Sequence, residues 1–386
     1  MKLLRFRSHA ARKGVAHFVA SACIVFAAPA VGEPSAPAEK QWPEGNLRGL
    51  CVGKPRIAMT REATFQRMSD WDVNALTVNF AHDERLPDLP PMDTLPEVPP
   101  HMEPYRGGLH RLDRIVSLAK KYNMVIVLAG GAAVGVDKIN VAKEEAVEKA
   151  RDAEWAYLDN VMKLHRYLGR KYVNEPALLA YNFISEPHTP AIVENWQTRV
   201  VPEFIETVRS VDRNTYLIFS PGLWGFPDFD RLDGPFEDPA GKTLYGFHFY
   251  APHNYTHQGI KGRPGGLKYP GKLKMFNGSP LRTWDKHALY EYMKEACEFK
   301  ERHNVRIFVG EFSVVRWAPG RAQWVEDVCS LFEQYDIDWT YHSYTGWNGW
   351  NPTFPAEAPG SNEPDGGVET ERLEILKDYW ARNTSR

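Results

Sequence analysis

The run Leu178-Leu179-Ala180-Tyr181-Asn182-Phe183-Ile184 leads directly into Ser185-Glu186-Pro187-His188, and Arg306-Ile307-Phe308-Val309-Gly310 leads into Glu311-Phe312-Ser313. Both runs are apolar, about the length of a buried strand, and bounded by turn residues. Each carries one glutamate to its carboxyl end. Working outward, the same unit recurs along the chain: a short apolar run, then a longer amphipathic stretch. Eight strands are predicted near 48–52, 74–80, 124–129, 178–184, 216–220, 244–249, 306–311 and 338–344. Helical periodicity follows at 61–70, 109–122, 144–171, 191–211, weakly at 226–232, then at 284–303, 321–335 and 369–382.

Alternation of this kind specifies an α/β fold with a parallel sheet, and eight pairs close into a (β/α)8 TIM barrel. The 386 residues exceed the roughly 250 typical of one such barrel, so a single catalytic domain over 47–386 with generous loops is expected. Helix-to-strand turns are short, as at Tyr122-Asn123 and His303-Asn304, whereas several strand-to-helix connections are long. In such barrels the site lies at the carboxyl ends of the strands, so 81–108, 250–283 and 345–368 are expected to surround it.

Charge excludes some partners. Lys and Arg number 47 against 49 acidic residues, a net of −2, without a basic stripe to neutralise phosphates, so nucleic acid is not expected. The 12 Trp and 17 Tyr suit a surface that stacks on sugar faces. The 13 His show no His-x-His or His/Asp cluster in ligand spacing at strand ends, so neither a metal nor another cofactor is expected.

At the N-terminus Lys2, Arg5, Arg7, Arg12 and Lys13 precede an apolar run from about Val15 to Val31 that ends in Ala28-Pro29-Ala30. This pattern predicts a secretory signal over 1–30, a secreted or periplasmic product, and no stable membrane association once the signal is cleaved. Residues 31–46, rich in Pro, Ala, Glu and Gly, read as a flexible leader. Cys51, Cys297 and Cys329 then remain, and three cysteines allow at most one bridge.

Two carboxyl groups about 5 Å apart are what a retaining glycosidase requires, one to protonate the leaving oxygen and one to attack the anomeric carbon. Glu186 and Glu311 are the candidates. On these two glutamates, with Leu47-Arg48-Gly49, His248-Phe249-Tyr250 and Gly310-Glu311-Phe312, the chain resembles glycoside hydrolase family 5, the cellulase-like retaining glycosidases. The resemblance spans about 47–382. It implies Glu186 as acid/base and Glu311 as nucleophile, with His248 and Tyr250 lining the pocket and the Tyr250 hydroxyl on the nucleophile. The implied partner is an oligo- or polysaccharide, a β-glucan or related β-linked hexosan.

The family's Asn-Glu-Pro also occurs at 174–176 and 362–364, but neither copy follows an apolar strand. The first falls in a helix-to-strand turn and the second in a Gly/Pro-rich loop. Against the family pattern, Thr77 stands where an arginine is usual, and strand three ends Gly130-Gly131 without the usual histidine. Ser185 replaces the asparagine before the acid/base and takes its place as a candidate sugar contact, with Asn79, His82 and Asn182 as possible compensating groups. His342 stands near the usual platform tryptophan, leaving Trp347 or Trp350 to stack on a sugar. These departures keep a second reading open, a catalytically inactive glycan-binding barrel. Tyr255, His257, Tyr269, Phe276 and Trp284 on the long loop after strand six are further wall candidates.

Overall fold

The computed structural model describes residues 39–52, 60–80, 97–130, 144–357 and 365–383. Eight parallel strands close a barrel in the order β1 (Arg48–Cys51), β2 (Ala75–Asn79), β3 (Val125–Ala129), β4 (Leu178–Asn182), β5 (Tyr216–Phe219), β6 (Thr243–Phe249), β9 (Ile307–Phe312), β10 (Asp338–His342) and back to β1. The eight-stranded expectation is met, with boundaries shifted by one or two residues. Gly49 is required where β1 meets β2, because a Cβ there would collide with the Ala75 carbonyl.

The strands are buried on both faces, which explains why their sequences run apolar with little alternation. Even so, a period of two sorts them. Val125, Val127, Ile218, Leu244 and Phe308 fill the barrel interior, while Ile126, Leu128, Leu217 and Val309 face the helices. The surrounding helices are α1 (Glu62–Asp70), α2 (Arg106–Lys121), α3 (Glu144–Tyr172), α4 (Pro190–Glu194), α5 (Val201–Arg209), α7 (Lys286–His303), α8 (Arg321–Gln334) and α9 (Glu371–Trp380).

The predicted helix over 191–211 is broken. Pro202 has no N–H to continue the ladder, and the chain widens into a π turn over Trp196–Val200, where Val200 N–H bonds Asn195 O. The weak helix near 226–232 is only two 3-10 turns, Leu223–Gly225 and Phe229–Arg231. The long connection after β6 carries a short helix α6 (His253–Thr256) and an antiparallel hairpin, β7 (Gly271–Lys274) with β8 (Leu281–Trp284), in place of irregular chain.

The flexible leader expected over 31–46 does not hold for 39–46, which are packed; 31–38 lie outside the described residues. Residues 39–46 plug the amino-terminal end of the barrel: the Trp42 ring packs under Ala75, Val125 and Phe308, and its indole N–H donates to Asp338 at 3.0 Å. Lys40 is buried, its ammonium donating to the carbonyls of Tyr172 and Leu178 and to the Thr215 hydroxyl. Pro-rich composition concealed this, since two anchoring side chains among turn residues leave no periodicity. The predicted signal over 1–30 lies outside the described residues. Cys51, Cys297 and Cys329 are buried, and no disulfide joins them among the described residues.

Candidate active site

Glu311 faces the barrel axis because β9 contains a bulge. Val309 pairs with Trp339 and Phe312 with Tyr341, so that Gly310 and Glu311 of β9 oppose Thr340 alone on β10; against β6, Phe247 pairs with Val309 but His248 with Glu311. Strict alternation with Phe308 inside would turn Glu311 toward the helices. The extra residue at Gly310 returns it inward, the re-aiming that bulges perform beside active sites. A Cβ at Gly310 would stand 3.2 Å from Asn182 Nδ2 and 3.4 Å from His248 Nε2, so the bulge fits tightly only around glycine.

Glu186 is aimed by a different device. After β4 the chain turns through Ile184 at φ 37°, a left-handed value costly for a β-branched residue. Ser185 is thereby buried, its carbonyl beneath Gly225, which sits at φ 64° where a Cβ would come within 2.6 Å of that oxygen.

The two carboxylates meet across His248. Its Nδ1 lies 2.7 Å from Glu186 Oε1 and 3.8 Å from Glu311 Oε2, and ligand-type atoms of all three residues fall within 4.8 Å of one another. Tyr250 donates its hydroxyl to Glu311 Oε2 at 2.8 Å and stands 2.8 Å from His342 Nδ1. Burial works to raise the Glu311 pKa, but His342, His248, the Tyr250 hydroxyl and the Asn79 amide together hold it below the usual carboxylate range. Burial likewise opposes charge on His248, yet Glu311 and Glu186 outweigh it and push that imidazole up. His342 is lowered, chiefly by burial. Burial, with Glu311 alongside, pushes Tyr250 far up, so it remains a donor.

Asn79 reaches Glu311 from the end of β2, the role left open by Thr77. Thr77 itself bonds Thr340 at 2.8 Å, and Thr340 donates to the Gly310 carbonyl at 2.6 Å, bracing the bulge from within the barrel. His82 lies outside the described residues.

A cavity of about 490 Å³ opens above the carboxylates, within the range of small-molecule sites. Trp350 lines it, its ring 5.9 Å from Tyr250 and 5.0 Å from His342. Of the remaining candidates, His248, Tyr250 and His342 line it as well, while Trp347 and Ser185 do not. Trp347 stands outside at 41% exposure, edge-on to Trp350 and Trp317.

On the loop after β6, His257 and Phe276 form wall, but Tyr255, Tyr269 and Trp284 are fully buried anchors. Trp224 and Phe226, which also line the cavity, with Phe226 beside Phe276 at 5.9 Å between centroids, escaped sequence reading. Trp224 is 43% exposed and stacks on His188 with centroids 4.2 Å apart, in a segment without helical or strand periodicity. Asn174-Glu175-Pro176 is a structural turn on the far face, where Glu175 accepts from Ala177 N–H and pairs with Lys120. The copy at 362–364 lies outside the described residues.

Among the described residues, two overlapping trios have donor atoms close enough for a cation, Cys51–Glu311–His342 and Glu186–His248–Glu311. Both share Glu311, and in the second a hydrogen bond already joins His248 to Glu186.

A closed β/α barrel with two converging carboxylates under an aromatic-walled cavity defines a barrel glycosidase. Residues 32–350 match the sequence profile of cellulase (glycosyl hydrolase family 5), and the chain belongs to that family. It is similar to endoglucanase C of Acetivibrio thermocellus, 27% identical over 261 residues, which are 61% of this chain and 73% of that protein. Cellodextrinase A of Ruminococcus flavefaciens is 20% identical over 242 residues, 60% of this chain and 66% of that one. In fold it resembles a hyperthermophilic endo-beta-1,4-glucanase solved with substrate, at TM-score 0.62 and 17% identity, covering 86% of this chain and 96% of the other. Thermotoga maritima Cel5A in complex with mannotriose aligns at TM-score 0.59 and 17% identity, covering 85% and 96%.

Proposed function

We propose that the protein hydrolyses a β-linked glucan or related hexosan with retention of configuration, Glu311 as nucleophile and Glu186 as acid/base. The observation that carries this reading is the pairing of two close carboxylates in unlike surroundings. A separation within 4.8 Å suits direct attack; inverting enzymes keep about 6.5–9.5 Å for an intervening water. Glu311, with its side chain 14% exposed and held below the usual carboxylate range, is the ionised partner ready to attack. Glu186, 31% exposed and bonded through one oxygen to His248, can exchange a proton with a leaving group and then with water.

The first step forms a bond from Glu311 to the anomeric carbon as the glycosidic bond breaks and Glu186 gives its proton to the leaving oxygen. In the second, Glu186 takes a proton from water, which displaces Glu311 and regenerates both groups. Trp224 and Trp350 offer apolar faces for sugar rings. The relatives named endoglucanase and cellodextrinase and the neighbour solved with mannotriose support the choice of hexosan. The contact of Asn79 to Glu311 weighs against an inactive barrel, because it supplies a support to the nucleophile that Thr77, in place of the family's arginine, does not.

Export belongs to the same proposal and rests on the N-terminal sequence pattern alone. No helix among the described residues is long and apolar enough to cross a membrane.

The test is turnover on a panel of β-glucosides, β-mannosides, β-galactosides and their polysaccharides by the wild type, Glu186→Ala and Glu311→Ala. The proposal expects cleavage by the wild type that is lost or severely reduced in both variants. Retained cleavage in Glu311→Ala, or oligosaccharide binding without any cleavage by the wild type, would overturn it.

A further inference from the structure

The chain as a whole is nearly neutral, but the insertion that follows β6 is not. From Ala251 to Trp284 it carries Lys261, Arg263, Lys268, Lys272, Lys274 and Arg282, and no carboxylate. None of the six has a carboxylate partner among the described residues, and all but the half-buried Arg263 are exposed. The insertion is fastened to the barrel. Tyr269 bonds Asp327 at 2.6 Å, Tyr255 bonds the Pro319 carbonyl, and the buried Gln258 side chain bridges to both backbone groups of Leu267. Left-handed residues Lys261 at φ 47° and Gly262 at φ 77° then turn the chain so that Arg263 lines the catalytic cavity.

Beside Arg263 in the same wall stand His253 and His257, stacked with centroids 4.0 Å apart. Burial brings their pKa values down to about 4 and about 2, with Arg263 contributing to both. Both imidazoles are therefore uncharged near neutral pH. The wall carries one fixed positive charge, that of a guanidinium whose only bond among the described residues is a long one, 3.5 Å to the Ile260 carbonyl.

We propose that the preferred substrate is an anionic β-glycan, and that Arg263 binds an acidic substituent on it while the surrounding lysines draw the polymer to the mouth. This rests on the hydrolase reading above and names its substrate class. A guanidinium without a carboxylate partner among the described residues, set in a preorganised wall, presents a fork suited to a carboxylate or a phosphate ester, the chemistry shared by uronate and phosphorylated sugars. Glu311, held ionised, repels an anion at the reacting ring, so the acidic group sits on a sugar flanking the cleaved bond. Five exposed cations add a longer-range attraction that salt screens within about 10 Å at 0.1 M.

The experiment compares kcat/KM of the full chain on an uncharged soluble β-glucan, on its carboxymethylated form and on its phosphorylated form, at low and high salt, with direct binding measured in parallel. The wild type should favour one or both acidic forms by about tenfold or more, as expected for one charge-assisted hydrogen bond. Which acidic form is favoured identifies the substituent. Arg263→Gln should lower the acidic-to-neutral ratio toward one, and Arg263→Lys should restore part of it. A triple change of Lys261, Lys268 and Lys272 to Gln should weaken mainly the salt-sensitive part.

An acidic-to-neutral ratio near one in the wild type, or one that Arg263→Gln leaves unmoved, overturns the proposal. So does tight binding of the lysine-rich insertion to vesicles of anionic lipid without any preference among glycans. Preferential binding of acidic glycan without cleavage would instead strike the hydrolase reading and leave the anion site standing. The absence of both would remove both.

Discussion

The two ends of the barrel bury the same kinds of side chain to opposite purposes, and β10 passes through both. At its start, Asp338 accepts the Leu47 backbone N–H and the Trp42 indole, and burial raises its pKa to about 6. Midway, Thr340 braces the bulge of β9; at the far end, His342 stands 3.4 Å from Glu311. Below, Lys40, Asp212, Thr215 and the Arg209–Asp238 pair satisfy one another almost completely. Above, Glu311 is held ionised, Glu186 is half-open, and Arg263 has no counter-charge among the described residues. A buried polar group whose partners are complete contributes to stability, whereas one left partly satisfied beside a cavity remains available for a ligand. Changes at the mouth should therefore cost activity and spare folding, and changes at the plug should do the reverse.

The sharpest break in that contrast is Glu311→Gln, expected to lower kcat by ~10⁴-fold or more in steady-state assays. Its thermal midpoint should stay close to that of the wild type. Glu186→Gln should lose about 10²–10⁴-fold on a polysaccharide but less in bond cleavage of an aryl glycoside whose leaving group needs no proton, as a burst experiment would show. At the other end, Trp42→Ala should cost roughly 3–5 kcal/mol in denaturant unfolding, the usual loss for a buried tryptophan, with kcat per folded molecule unchanged.

Tyr250→Phe is the gentlest probe. It removes one donor that holds Glu311 low, so the Glu311 pKa should rise. The acid limb of kcat/KM, where the nucleophile gains a proton, should then move to higher pH, with about a tenfold loss at the optimum. An acid limb that stayed in place would mean that Tyr250 does not tune the carboxylate.

The barrel was legible in the sequence because eight apolar runs alternate with amphipathic stretches, and tertiary packing moved their ends only slightly. Glu186, Glu311, His248 and Tyr250 stood out because each lies at the end of such a run. What escaped has physical causes. The bulge at Gly310 is a register shift between strands that a single strand cannot reveal, although the glycine beside Glu311 marks the place. Trp224 and Phe226 lie on chain held by non-helical turns, where no periodicity separates wall from core. Tyr255, Tyr269 and Trp284 look like surface aromatics in a Gly/Pro-rich stretch, yet they are the anchors that hold it. Trp347 and Trp350 are three residues apart, and only packing against Tyr250 and His342 distinguishes the one that lines the cavity. The acid-free insertion was readable by counting charge locally, and a net charge near zero hid it.

The most direct test of the paired carboxylates is mass spectrometry of the enzyme after reaction with a 2-deoxy-2-fluoro glycoside bearing a good leaving group, which forms the glycosyl-enzyme and slows its hydrolysis. One added sugar is expected on the peptide that carries Glu311, and none in Glu311→Gln. A sugar attached elsewhere, or turnover without any covalent adduct and with inversion at the anomeric carbon, would contradict it.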